Sequence, residues 1–378
     1  MNQRVLLVID QIASGGAEKI LQEFNEYLKC CGYETKIFAL YGCSGESVDF
    51  GLKRNSTNLI KKWIQQKFLL RKLQKVENEF SPDIIFSFLE RSNILVSKLD
   101  TNAKKIATVH NILSIQYKKL GRLMQRLVQS IIRRAYSNLD EIVVVSDNVR
   151  QDLILKYRID ARSISIINNR VDRMEIISKS MEPIVEFDYD ADTSYVISIG
   201  RFCHQKAQWK FIKAIKGLKT RYPQLKIKGV IIGEGEYKDR LCDYARSIDV
   251  QEDIIILPYQ SNPYKFIAKS SLFLLPSFFE GCPIVLSEVI ALGIPFVGSE
   301  PAIPKEYFGS EQRVWSDATF EVMDFEEFNT AITEESEIIV DKICNQLERK
   351  TSVSATRDWN RSNDKKNQFD EYIKIFHS

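Results

Sequence analysis

The chain has 378 residues, with 53 Lys and Arg against 50 Asp and Glu, for a formal net charge of +3. At roughly 100–200 residues per domain, this length predicts two domains, or three. Hydrophobic residues at 44% and charged residues at 27% are ordinary globular usage and exclude a disordered chain, a collagen-like repeat or a coiled coil. A balance so close to neutral argues against a nucleic-acid binder, which carries a basic excess on one face, and no nucleic-acid partner is expected.

Seven cysteines stand at positions 30, 31, 43, 203, 242, 282 and 344, without a CxxC pair, and only three histidines occur. That set does not build a Cys/His metal centre, and no metal is expected. Free thiols suit a reducing compartment. The apolar run near the N-terminus stops at Asp10, too short for a signal-peptide core. No apolar stretch approaches the ~18 residues that span a bilayer. The expectation is a cytoplasmic protein that can still sit peripherally on the inner face of a membrane.

Val5 to Ile9 is a fully apolar run, the pattern of a strand buried on both faces of a parallel sheet. Ser14-Gly15-Gly16 forms a turn, and Ala17, Ile20, Leu21, Phe24 and Leu28 then follow helical spacing to Lys29. Further strands are predicted at Thr35 to Leu40, Asp83 to Phe88, Lys105 to Val109, Glu141 to Val145 and Ser163 to Ile167. After a polar stretch the pattern restarts at Tyr195 to Ile199. It continues at Lys228 to Ile232, Ile254 to Leu257, Ser271 to Leu275 and Pro295 to Val297. Strands separated by helix-length segments imply βαβ units. The expected fold is α/β, two Rossmann-like doubly wound domains facing across a cleft. Residues 1–170 form the first, joined by a closing helix at about 360–378, and residues 171–359 form the second.

Ligands of open α/β sheets bind at the carboxyl ends of strands, so the loops after strands hold the candidates. Ser14-Gly15-Gly16 opens a helix and lets backbone N–H groups approach a phosphate, or it is simply a tight turn. Gly200-Arg201-Phe202-Cys203-His204-Gln205-Lys206 places two cations after a strand. Arg supplies a fork and Lys a point charge, a pairing suited to a diphosphate; a solvated loop is the plainer alternative. Gly233-Glu234-Gly235-Glu236 is half of a GxGxxG fingerprint, or a plain strand-to-helix turn. Pro276 to Glu288 carries Glu280 and Glu288 eight positions apart around a helix start near Pro283. Carboxylates so placed accept from sugar and ribose hydroxyls, and two ordinary surface glutamates would look the same. His110, in Thr108-Val109-His110-Asn111, ends a strand and faces the expected cleft, where it would donate to or orient a hydroxyl; a structural histidine is the commoner case. Asp188-Tyr189-Asp190 has DxD spacing, yet it precedes a strand and reads as a solvated acidic patch.

Taken together and in order, SGGAEK, TVHN, GRFCHQK, GEGE and PSFFEGCPIVLSEVIALGIPFVGS resemble the family-4 retaining glycosyltransferases of the GT-B fold. The likeness runs from about Val5 to Ser299, and the E-x7-E element is its most specific part. It implies that Arg201 and Lys206 hold the diphosphate of a UDP- or GDP-type sugar donor. It implies that Glu288 accepts from the ribose and that Glu280 contacts the transferred sugar, assisted by backbone amides of Gly281, Cys282, Pro283 and Ile284 where they exist. By the same resemblance Gly16 abuts the donor phosphate or acceptor, His110 contacts the donor sugar near the reacting centre, and Pro258 and Tyr259 lie beside the base. His110, Arg201, Lys206 and Glu280 are thereby the catalytic candidates. No cofactor is implied beyond the donor itself; the acceptor would be a glycan or lipid-linked hydroxyl. Two departures stand out: Ala207 where the family has Gly, and Asn168-Asn169-Arg170-Val171-Asp172 where it has P-N-G-V-D. A nucleotide-sugar epimerase of the same fold and a non-catalytic sugar-nucleotide-binding subunit are the alternatives.

Residues 115–139 contain no acidic residue. Lys119, Arg122, Arg126 and Arg133 share one helical face, and Leu120, Leu123, Leu127 and Ile131 another. Such a helix fits an anionic membrane surface, although its more ordinary arrangement turns the apolar side into the core.

Overall fold

The structure, a computed structural model, describes residues 3–12, 16–41, 59–118, 120–304, 319–321, 327–328, 334–348 and 364–377. The chain divides into two compact units, Met1–Asn168 with Lys366–Ser378, and Asn169–Lys365.

The first unit is built from β1 (Arg4–Gln11), α1 (Gly16–Cys30), β2 (Glu34–Tyr41), α2 (Leu59–Phe80), β3 (Ile84–Phe88), α3 (Glu90–Val96), β4 (Lys104–Val109), α4 (Leu113–Gln116), α5 (Arg122–Tyr136), β5 (Glu141–Val144), α6 (Asp147–Tyr157) and β6 (Ile164–Ile166). Its six strands pair in parallel in the order β2-β1-β3-β4-β5-β6. Val5 through Ile9 are fully buried, which is why this run carries no polar alternation. Helix α1 turns Ile20, Leu21, Phe24 and Leu28 inward. It stops because Gly32 takes φ +86° and Tyr33 N–H reaches back to the Leu28 carbonyl, a left-handed cap that glycine allows. The helix Lys365–His377 closes this unit. Phe369, Tyr372 and Phe376 lie 5.3, 5.1 and 6.1 Å from the Phe24 ring, and the Tyr27 hydroxyl donates to Asp370 at 2.6 Å.

Helix α5 departs from its more ordinary expected arrangement. Only Ile132, Ala135 and Tyr136 are buried. Leu123 is 83% exposed and Leu127 52%, with Leu120, Met124 and Ile131 exposed as well. The last turn anchors the helix, where Tyr136 accepts from Asn93 Nδ2 at 3.2 Å. The earlier turns leave their apolar side to solvent. Lys119 lies outside the described residues.

The second unit contains α7 (Arg173–Ser180), β7 (Ser194–Ile199), α8 (Gln208–Arg221), β8 (Ile227–Ile232), α9 (Lys238–Ser247), β9 (Ile254–Leu257), α10 (Tyr264–Ala268), β10 (Leu272–Leu275), α11 (Ile284–Ala291), β11 (Phe296–Ser299), β12 (Thr319–Phe320) and a helix Glu334–Glu348. Strand order is β12-β11-β10-β7-β8-β9, again all parallel. Read from the other edge, this is the 3-2-1-4-5-6 order of doubly wound dinucleotide folds, and the first unit extends the 2-1-3-4-5 variant. Both expected α/β sheets are therefore present. Strand β12, two residues long, was not expected; a dipeptide carries no periodicity to read.

Candidate functional site

In the second unit the strand order reverses between β7 and β10, where a doubly wound sheet opens a crevice at its carboxyl ends. The loops after those two strands are Gly200–Ala207 and Pro276–Pro283. They are stitched together: Phe278 N–H donates to the Gln205 carbonyl at 2.8 Å, and Gln205 Nε2 donates to the Phe279 carbonyl at 3.0 Å. Lys206 Nζ then meets Glu280 Oε1 at 2.7 Å, with Glu280 buried and Lys206 mostly so. Arg201 is exposed. Its carbonyl accepts from Gln208 Nε2 at 3.1 Å, which fixes the loop backbone. Ala207 adopts φ +49° and is fully buried. That left-handed conformation costs a residue with a Cβ about 1–2 kcal/mol, and it explains why glycine suits this place in the family pattern.

Helix α11 begins at Ile284 behind Pro283, as the Gly-x-Pro turn predicts. Glu288 sits one turn in, buried, accepting from the Tyr264 hydroxyl at 3.1 Å. Cys282 is buried and held by Asn169, whose N–H points at the sulfur at 3.3 Å and whose side-chain amide donates to the Cys282 carbonyl at 2.7 Å. The structure thus brings Lys206, Glu280, Gly281, Cys282, Pro283, Ile284 and Glu288 to one strand-end region, with Arg201 at its edge. Pro258 and Tyr259 stand exposed just past β9, two strands away from β7 in the sheet order.

The glycines of Gly233-Glu234-Gly235 have a packing role. A Cβ on Gly233 would strike the Gly200 carbonyl, and one on Gly235 the Phe202 carbonyl. Both residues have φ near +154°, and Phe202 N–H donates to the Glu234 carbonyl at 2.8 Å. This turn buttresses the Arg201 loop from behind. Asp190 caps its own turn, accepting from Asp192 N–H and the Thr193 hydroxyl, in keeping with a local acidic patch.

In the first unit, Gly16 opens α1 and is exposed; Ser14 and Gly15 lie outside the described residues. His110 follows β4. Its Nε2 is 2.9 Å from the Thr108 hydroxyl, and its ring stacks on Phe88 at 5.9 Å. Burial pushes the imidazole pKa down to about 4, so it is neutral at pH 7. Sequence reading passed over Glu90, the first residue of α3 just after β3. Its carboxyl is buried, and desolvation, helped by the nearby Asp10, raises its pKa to about 7. It also passed over Tyr264, and it named Asn169 only as part of the departure at the junction. Their partners lie 24 and 113 positions away, and no local spacing signals such contacts.

Residues 14–174 match the family described as Glycosyltransferase Family 4, and residues 185–338 match Glycosyl transferases group 1. The chain is similar to an uncharacterized glycosyltransferase of Methanocaldococcus jannaschii, 26% identical over 243 residues, 61% of this chain and 58% of that one. It is also similar to N-acetylgalactosamine-N,N'-diacetylbacillosaminyl-diphospho-undecaprenol 4-alpha-N-acetylgalactosaminyltransferase of Campylobacter jejuni, 27% identical over 322 residues, 82% of this chain and 84% of that one. In fold it resembles Anabaena HepE crystallised with UDP-glucose, with a TM-score of 0.73, 14% identity and 99% of each chain covered. Two adjoining family matches, two doubly wound sheets and the E-x7-E element beside a strand-end lysine agree: the chain belongs to the family-4-type glycosyltransferases of the GT-B fold.

Proposed function

We propose that the chain transfers a sugar from a UDP- or GDP-type donor to the hydroxyl of a lipid-linked acceptor, with retention at the anomeric carbon and without a metal. We read its place as the assembly of a cell-surface polysaccharide or glycolipid. The observation that carries this reading is the Lys206–Glu280 pair at 2.7 Å, in the crevice where Arg201 is exposed and Glu288 is held by Tyr264. The bond from the anomeric carbon to the diphosphate oxygen breaks through an oxocarbenium-like transition state. Negative charge grows on the leaving diphosphate, and Arg201 and Lys206 are the preorganised cations for it. Before donor arrives, Glu280 holds the Lys206 ammonium in place. With donor bound, the ammonium turns to phosphate, and the Glu280 carboxylate accepts from sugar hydroxyls. Glu288 accepts from the ribose. The acceptor oxygen attacks from the face the diphosphate leaves, and its proton passes to a leaving phosphate oxygen. Two side-chain cations and the N-terminal end of α11 do the charge neutralisation a metal would otherwise do.

The lipid-linked acceptor is supported by the diphospho-undecaprenol substrate named for the Campylobacter relative and by α5. That helix exposes Leu123, Met124, Leu127 and Ile131 and carries Arg122, Arg126, Arg133 and Arg134, with no acidic residue between 115 and 139. Apolar area flanked by cations matches an anionic bilayer surface, where each basic residue adds about 1 kcal/mol. Among the described residues no helix is long and apolar enough to cross a membrane.

Thermal unfolding with UDP, GDP, ADP and CDP and their sugar conjugates, in the absence of metal, tests the donor assignment. One nucleotide raising the midpoint supports it, since a ligand of the folded state stabilises by mass action. No response to any of them, with or without a divalent ion, rejects it.

A further inference from the structure

The polar groups behind His110 decide which of its ring nitrogens carries the proton. Thr108 is fully buried on β4, between β3 and β5. Its hydroxyl has one proton and two lone pairs. It lies 3.0 Å from the Ser87 carbonyl on β3. A carbonyl only accepts, so this contact is a hydrogen bond only when the Thr108 proton points to Ser87. The same oxygen lies 2.9 Å from His110 Nε2, and with its proton already used it can only accept. Nε2 therefore donates in the arrangement that keeps both contacts as hydrogen bonds.

The arrangement is fixed from several sides. The Ser87 hydroxyl donates to Asn93 Oδ1 at 2.7 Å, and Asn93 Nδ2 donates to the Thr108 carbonyl at 2.9 Å. Ser87 and Asn93 are both fully buried. The Phe88 ring lies nearly parallel to the imidazole, at 16°, and sets its plane. Among the described residues, the one side-chain hydrogen bond of His110 is made by Nε2. In a neutral ring whose Nε2 is protonated, Nδ1 carries the lone pair. The low pKa given by burial keeps the ring in this neutral form.

We propose that Thr108 is a positioning residue that holds His110 in the Nε2–H tautomer, so that His110 meets its ligand through Nδ1 as a hydrogen-bond acceptor and selects a group that donates, a hydroxyl. The inference rests on the reading that His110 faces the sugar substrate, and it sharpens that reading. An imidazole able to donate would equally suit a carbonyl or a phosphate oxygen. One locked as an acceptor discriminates against both.

The test reads the tautomer directly, in full-length protein without substrate. With histidine labelled in nitrogen-15, long-range nitrogen–proton spectra separate the two tautomers and the imidazolium. The signal of His110, one of three histidines, is identified by its loss in His110→Asn. Wild type is expected to show Nε2–H at pH 7. Thr108→Ser keeps the hydroxyl and is expected to keep that spectrum; Thr108→Val removes the acceptor and is expected to admit the Nδ1–H form. In turnover assays Thr108→Val is expected to lose about 10-fold in kcat/KM, the scale of removing a partner that orients a working histidine, with Thr108→Ser restoring it. A wild-type ring protonated on Nδ1, or doubly protonated at pH 7, overturns the proposal. So does a Thr108→Val protein that shows the wild-type tautomer or turns over as fast. Should Thr108→Val fail to fold, wild type and Thr108→Ser still decide. An enzyme without transferase activity would leave the tautomer result standing, so failure of the proposed reaction is distinguishable from failure of this inference.

Discussion

At the scale of single residues, the weight of the site falls on two cations with different surroundings. Lys206 is tied to Glu280, whereas Arg201 is exposed. Replacing either by Ala is expected to lower turnover by about 100-fold or more, the cost of losing one preorganised charge-stabilising group. Steady-state rates on the responsive donor check it, and near-normal turnover in either variant sinks the assignment. Two buried groups in the first unit oppose each other over pH. His110 has its pKa depressed from 6.5 to about 4. As pH falls across that interval the unfolded chain takes up a proton that the folded ring does not, and folding loses stability. Glu90 has its pKa raised from 4.5 to about 7. Its contribution is full below pH 4.5 and is lost as pH rises through 7. The two slopes offset one another between about pH 4.5 and 6.5. Glu90→Gln, which removes the buried charge, is expected to raise the unfolding midpoint at pH 8 and to leave it nearly unchanged at pH 4.5. An equal shift at both values would show that the Glu90 carboxyl does not titrate as its burial requires. Residue identity was well legible where chemistry repeats locally, as in Glu280 and Glu288 around Pro283. It was not legible where a residue acts across the fold: nothing near Asn169 in the sequence points to Cys282, and the GEGE run stays open between a ligand turn and a plain strand-to-helix turn until the Gly200 and Phe202 carbonyls are seen against it.

At the scale of elements, strands were readable because parallel sheets bury both faces. Val5 to Ile9 and Leu272 to Leu275 announce themselves as unbroken apolar runs, Tyr195 to Ile199 as a run broken only by Ser198, and each is a strand within a residue or two of its expected limits. Helix α5 shows the limit of the same reasoning. Its periodicity reveals an apolar side, but whether that side meets a core or water depends on what packs over it. The structure leaves Leu123 83% exposed. Leu123→Ser with Leu127→Ser is therefore expected to change unfolding stability by no more than about 0.5 kcal/mol, as surface substitutions do. The same pair should abolish most sedimentation with anionic vesicles, and wild-type binding should fall as salt rises. Wild-type sedimentation that ignores anionic lipid content removes the membrane role of α5; a large loss of stability in the pair would show that the leucines are packed after all.

At the scale of the whole molecule, the two units are assembled by the same rule, a doubly wound parallel sheet with its candidate loops at the carboxyl ends of its strands. What distinguishes the first is its dependence on the last helix, whose Phe369, Tyr372 and Phe376 complete the aromatic cluster of Phe24 and Phe86. Phe369→Ala is expected to cost about 3–5 kcal/mol and to lower the unfolding transition of the first unit ahead of that of the second, as calorimetry would resolve. A single unshifted transition would mean that the helix lends little to the unit it covers. The same arrangement orders events during synthesis. The ribosome releases the strands of the first sheet early, but the ring cluster on Phe24 stays uncovered until roughly two hundred further residues have been made. At translation speeds of about 5–20 residues per second, that is an interval of about 10–40 s. For that time the second unit is made while the apolar side of the first is still open, so the nascent chain exposes an aromatic cluster that the finished chain covers.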